Sequence, residues 1–129
     1  MFRFKIIPSK KSNTQSINNT IIENAYMAIK FEESPANISF KGNIFRQNDR
    51  VIIGTSAYQN MILTYNTFSN NEGVFGIRVA SGNESRFENN IFINNNNVFI
   101  DGCAFFGLTP INNNNLVNNN FITRAPVVG

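Results

Sequence analysis

One pattern recurs along the chain at a nearly fixed step. FKGNIFRQNDRVII, starting at Phe40, returns as LTYNTFSNNEGVFG from Leu63, as FENNIFINNNNVFI from Phe87 and in part as INNNNLVNNNFIT from Ile111, and a weaker copy, INNTIIENAYMAI, starts at Ile17. The starts lie 23, 23, 24 and 24 residues apart. A repeat of that length, made of short apolar pieces broken by Asn and Gly, is too short for a pair of helices. It fits a coil of about three short strands stacked on its neighbours.

Aligned on this step, the first Asn column holds Thr20, Asn43, Asn66, Asn90 and Asn114, and the aromatic column holds Ile22, Phe45, Phe68, Phe92 and Leu116. The second Asn column holds Asn48, Asn71, Asn95 and Asn119. Asn24 joins it if one residue is deleted from the first copy, a slip that also sets Met27 and Ile29 beside Val51 and Ile53. Asn suits a corner because its side chain tolerates left-handed backbone angles and bonds to nearby main chain. Where the same corner returns one coil later, at a strand spacing of about 4.8 Å, the side chains can stack as a ladder. The Phe column is expected to stack likewise inside the coil.

Composition then narrows the chemistry. The 129 residues include 25 Asn, one Cys and no His or Trp. Such Asn enrichment raises the possibility of a disordered low-complexity tract, but random enrichment would not keep the Phe and Val columns in step. Without histidine there is no Ser-His or Cys-His pair and no imidazole metal site, and the lone Cys103 excludes an internal disulfide and a thiolate zinc site. Catalysis would have to use carboxylate, Arg, Lys or Tyr. The net charge is +3, and Arg3, Lys5, Lys10 and Lys11 cluster in the first eleven positions, so the remainder is near neutral and no nucleic-acid groove is expected. No apolar run is long enough for a transmembrane segment. Lys5 and Pro8 interrupt the start before a signal-peptide core could form.

The phrases FKGN, TFSNN and FENN are similar to the Phe-x-x-Asn repeats of bacterial polymorphic outer-membrane proteins, and NNVFIDG resembles a general β-helix repeat unit. Over 14–123 the chain resembles the right-handed parallel β-helix of the pectin-lyase-like type. The Gly-Gly-Ala-Ile partner motif of the outer-membrane proteins is missing, with only Gly76-Ile77 nearby. The resemblance implies an all-β fold, a single-stranded right-handed parallel β-helix (solenoid) of about five 23–24-residue coils, and a rod about 20–25 Å long. Residues 1–13, where Phe2, Phe4 and Ile6 alternate with Arg3 and Lys5, are expected to form an N-terminal cap or extra strand. Residues 124–129 are expected to be a truncated or partner-capped end, which leaves room for end-to-end contact with further coils or another chain.

The remaining candidates are few. Registration sets Asp49 and Glu72 in one column of adjacent coils, with Arg50 beside them. Carboxylates and an arginine are what β-helix lyases and hydrolases use on acidic sugars, with calcium or paired acids. Against this, Asn96 and Asn120 occupy the same column, as expected of a turn position. Segments 54–62, 77–86 and 101–110 are expected to form variable loops gathered on one side. There Tyr58, Phe105 and Phe106, together with Tyr65, could stack on sugar rings. The expected function is therefore a non-enzymatic β-helix scaffold of a surface or secreted protein, extracellular and part of a longer chain, presenting loops for adhesion to a glycan or protein surface. The alternative is a fragment of a polysaccharide lyase or glycoside hydrolase acting on acidic polysaccharide, with Asp49, Arg50 and Glu72 as catalytic remnants. No cofactor is expected under the first reading, and calcium enters only under the second.

Overall fold

Short apolar strands separated by Asn-rich corners wind into successive coils. The computed structural model describes residues 14–31, 37–58, 61–79, 86–99, 104–106, 114–119 and 127–128. The first coil is β1 (Thr14–Asn18), β2 (Ile21–Glu23) and β3 (Met27–Phe31). The second is β4 (Asn37–Lys41), β5 (Ile44–Arg46) and β6 (Arg50–Tyr58), and the third β7 (Met61–Thr64), β8 (Thr67–Ser69) and β9 (Gly73–Val79). Then come β10 (Arg86–Glu88), β11 (Ile91–Ile93), β12 (Asn97–Phe99), β13 (Ala104–Phe106), β14 (Asn115–Val117) and β15 (Val127–Val128). Every strand pairs in parallel with its equivalent one coil away, so three sheets run along the solenoid. The first sheet is ordered β1-β4-β7-β10, the second β2-β5-β8-β11-β14, and the third β3-β6-β9 with β12, β13 and β15 beyond.

The columns meet inside. Phe45 stacks on Phe68 with ring centroids 5.1 Å apart, and Phe68 on Phe92 at 4.7 Å, with interplanar angles of 14° and 6°. The first sheet contributes Phe40, Leu63 and Phe87, and the third contributes Ile29, Ile52, Phe75 and Phe99. Parallel stacking of like on like removes one continuous apolar seam per sheet from water, which a single repeat cannot do alone.

The first copy needs no deletion. Ala25 N–H donates to Asn48 Oδ1 at 2.9 Å, and Met27 lies opposite Arg50 and Ile29 opposite Ile52. Ala25, not Asn24, therefore takes the second-Asn position, and the expected pairing of Met27 and Ile29 with Val51 and Ile53 is one residue out. The physical reason is strand periodicity: a one-residue slip turns every side chain to the other face. The true register puts Ala28 with Val51, Val74 and Val98, all buried.

A second correction concerns the loops. Residues 54–58 and 77–79 continue β6 and β9 as strand, re-paired as Ala57↔Arg78 and Tyr58↔Val79 after a register shift between Ile53 and Ala57. Residues 104–106 form β13, which extends the same sheet on Arg78 and Val79. Part of each expected loop is thus sheet, because a neighbouring coil offers backbone partners at the same level. The cap expected in 1–13 lies outside the described residues, as does 124–129 apart from β15.

Candidate functional site

Each coil turns two Asn-rich corners, and both use a pair of residues with divided labour. The first member of each pair adopts the left-handed conformation. At the corner between the first and second sheets it is Asn19, Gly42, Tyr65 and Asn89, and at the corner between the second and third it is Asn24, Gln47, Asn70, Asn94 and Asn118, with φ from 53° to 70°. In the later coils the second member is an Asn that points inward and builds the ladder, whereas in the first coil Thr20 and Ala25 meet it only through their backbone N–H.

Each ladder amide is nearly saturated. Asn66 Nδ2 donates to Phe40 O at 2.9 Å and to Asn90 Oδ1 at 3.0 Å, while its Oδ1 accepts from Asn43 N–H and Asn43 Nδ2, both at 3.0 Å. Asn71 repeats this at the other corner with Phe45 O, Asn95 and Asn48. Asn43, Asn48, Asn66, Asn71, Asn90 and Asn95 are all buried, and Asn114 and Asn119 extend the two ladders. A buried polar group is tolerated only when bonded in this way. The ladder residues are thus committed to the scaffold.

The residue after each ladder Asn at the second-to-third-sheet corner faces outward. Backbone bonds from Asp49 N to Ala25 O, Glu72 N to Asn48 O and Asn96 N to Asn71 O, each 2.9 Å, set Tyr26, Asp49, Glu72 and Asn96 in one column. Asp49, Glu72 and Asn96, with the exposed left-handed residues Gln47, Asn70, Asn94 and Asn118, line an open groove of about 590 Å³ along the corner. Asn96 Nδ2 donates to Glu72 Oε1 at 2.6 Å, and Asn118 Nδ2 to Asn94 Oδ1 at 2.9 Å. The groove thus carries two carboxylates and a row of amides, able to accept and donate hydrogen bonds in alternation.

The structure brings Asp49 and Glu72 together as adjacent members of this column. Arg50 is not in the groove lining; its guanidinium lies 5.8 Å from the centre of the Tyr26 ring. Tyr26, at the head of the carboxylate column, is a residue that sequence reasoning passed over, and the undeleted register would have found it. Tyr65 stands at the opposite corner, exposed. Tyr58 lies in β6, and Phe105 and Phe106 in β13, all in the third sheet; their rings, as sugar platforms, lie outside the described residues. Among the described residues no three His, Cys, Asp or Glu side chains come close enough to hold a metal ion, and no helix is long and apolar enough to cross a membrane.

Parallel strands, one per sheet per coil, with stacked Phe and Asn columns define a β-solenoid. Residues 6–127 match the family model of the right-handed β-helix region, and the chain belongs to that family. No curated protein and no solved structure matches the chain.

Proposed function

We propose that the chain is a non-enzymatic β-helix module of a surface or secreted protein, acting outside the cell, whose corners hold a glycan by adhesion. The observation that carries this reading is the groove formed by Gln47, Asp49, Asn70, Glu72, Asn94, Asn96 and Asn118. Its polar side chains repeat once per coil, at the strand spacing of about 4.8 Å. A linear polymer of hydroxyl groups asks for a surface of that kind, because amides and carboxylates supply both hydrogen-bond partners of a hydroxyl. The groove is open, so it does not exclude the water that catalytic electrostatics must exclude. Glu72 is held by Asn96, and Arg50 is engaged with Tyr26.

One observation favours the second reading, a fragment of a polysaccharide lyase or glycoside hydrolase. Asp49 and Glu72 sit in adjacent coils, and retaining glycosidases place two carboxyl groups about 5 Å apart. The two charges would repel an acidic polysaccharide unless calcium bridged them. Calorimetric titration of the chain with neutral and acidic oligosaccharides, with and without calcium, followed by an assay for cleaved or unsaturated products, separates the readings. Adhesion predicts binding without turnover. Turnover abolished by Asp49→Asn or Glu72→Gln would establish the enzyme instead.

A further inference from the structure

The corner between the first and second sheets holds a residue that does not suit its backbone. Tyr65 has φ 57°, at a position filled in the other coils by Asn19, Gly42 and Asn89. A bulky aromatic residue in the left-handed region is a local strain that the fold does not require, since Asn or Gly takes the same angles with less. Burial does not repay it either, because Tyr65 is 61% exposed, the highest exposure among the large hydrophobic side chains described.

What surrounds the ring has the character of a ligand site. From the preceding coil, Lys41 Nζ lies 6.0 Å from the ring centroid and holds the ring by a cation–π contact. Toward the following coils an open cleft of about 420 Å³ is lined by Tyr65, Asn89, Ile91, Asn114 and Asn115. That volume lies within the range of about 300–1,000 Å³ usual for small-ligand sites. Ile91, 41% exposed on the outer face of the second sheet, adds an apolar wall. Asn114 is committed to the ladder through Asn90 and Phe87 O. The side-chain amides of Asn89 and Asn115, by contrast, have no hydrogen-bond partner among the described residues.

We infer that this cleft is a subsite for one neutral pyranose ring of a glycan, with Tyr65 as the stacking platform. The apolar face of the sugar lies on the phenol ring and Ile91, while its hydroxyls meet the amides of Asn89 and Asn115, which can each donate and accept. No charged side chain lines the cleft, and the Lys41 ammonium is engaged with the ring from the preceding coil, so the lining is matched to a neutral sugar rather than to a uronate. The inference rests on the glycan-adhesion reading and adds to it the corner, the residues and the sugar class.

The test uses the full chain with soluble glucan, galactan and mannan oligosaccharides as neutral probes and an oligogalacturonide as the acidic one. Binding is followed by calorimetry and by NMR shifts of the Asn89 and Asn115 side-chain amides. The expected result is saturable binding of a neutral probe that shifts both amides, weakened at least tenfold in Tyr65→Asn, while the Tm of that variant equals or exceeds the parent's because Asn suits the corner. Tyr65→Phe should stay within about threefold of the parent in affinity, since it keeps the stacking face. Neutral-probe binding unchanged in Tyr65→Asn would overturn this subsite and leave adhesion standing. A lower Tm for Tyr65→Asn would also overturn it, by making Tyr65 a structural residue, as would shifts at these amides with the acidic probe alone. Absence of binding by the parent to every probe would overturn the adhesion reading and this subsite together.

Discussion

Asn71 and Asn95, one coil apart, are joined twice: the backbone N–H and the side-chain Nδ2 of Asn71 both donate to Asn95 Oδ1, at 3.1 and 3.0 Å. Asn71 in turn accepts two bonds from Asn48 and gives its other amide hydrogen to Phe45 O at 2.9 Å. Asn71→Ala leaves Phe45 O and the Asn48 donors without partners in the interior. Each buried unsatisfied group costs about 1–3 kcal/mol, so the loss should be at least about 3 kcal/mol, read as a shift in the urea midpoint.

Asn71→Asp is a sharper probe of the same bonds. An ionised carboxylate can accept from Asn48 but donates nothing, and it faces Phe45 O and Asn95 Oδ1. Burial and these acceptors raise its folded-state pKa above the ordinary Asp value of about 3.9. Relative to the parent, the variant should therefore be least damaged below that pH, where the acid is protonated, and lose stability as pH rises through the raised folded value. Chemical denaturation at acid and neutral pH checks the sign.

Phe68 is the centre of the aromatic column, fully buried between Phe45 and Phe92 and edge-on to Phe75 at 5.5 Å. Phe68→Ala removes a ring from the middle of a stack whose neighbours are held in place by the sheets, so the gap cannot close. The expected cost is about 3–5 kcal/mol, enough to unfold a solenoid of so few coils. Loss of the β-sheet circular dichroism signal at room temperature would report it, and Phe68→Leu should fold with a lowered Tm.

The columns could be read from sequence because stacking like on like writes itself directly into the spacing: Phe45, Phe68 and Phe92 and the two Asn ladders follow from the step alone. The register of the first copy could not. At Ala25 only the backbone N–H is needed by Asn48 Oδ1, so an alanine serves, and the nearby Asn24 draws the alignment one residue off. In Asn-Asn pairs the left-handed member and the ladder member are the same residue type, so their separate tasks show only in the backbone angles. Asp49 and Glu72 could be placed in one column from the sequence, whereas the turn of Arg50 toward Tyr26 depends on side-chain packing that no spacing records.

The left-handed corners make opposite predictions at two sites. A Cβ on Gly42, at φ 70°, would come within 2.5 Å of Asn19 Oδ1, so Gly42→Ala meets both a contact and a disfavoured backbone. It should lower stability by about 1–3 kcal/mol. Gln47 is left-handed and exposed, where its column neighbours are Asn24, Asn70, Asn94 and Asn118. Gln47→Asn should raise stability by about 0.5 kcal/mol, because Asn tolerates these angles better. Paired thermal melts of the two variants against the parent measure both directions.

The carboxylate column ties stability to ligand choice. Asp49 and Glu72 are like charges at equivalent positions of adjacent coils, and only Glu72 is held by a described side chain, that of Asn96. Like charges stacked on one corner repel one another, at a modest cost in solvent. Asp49→Asn removes the repulsion and installs the amide that other coils place on this corner, so its Tm should rise at low ionic strength. The gain should shrink in about 1 M salt, where charges are screened beyond about 3 Å. The same substitution, combined with Glu72→Gln, should strengthen binding of an oligogalacturonide in the groove relative to a neutral oligosaccharide, because the acidic ligand also feels the removed net charge while the new amides still accept from hydroxyls. Calorimetry on the double variant decides it: an acidic ligand that binds more weakly after neutralisation would mean that the two carboxylates recruit a bridging cation rather than repel the glycan.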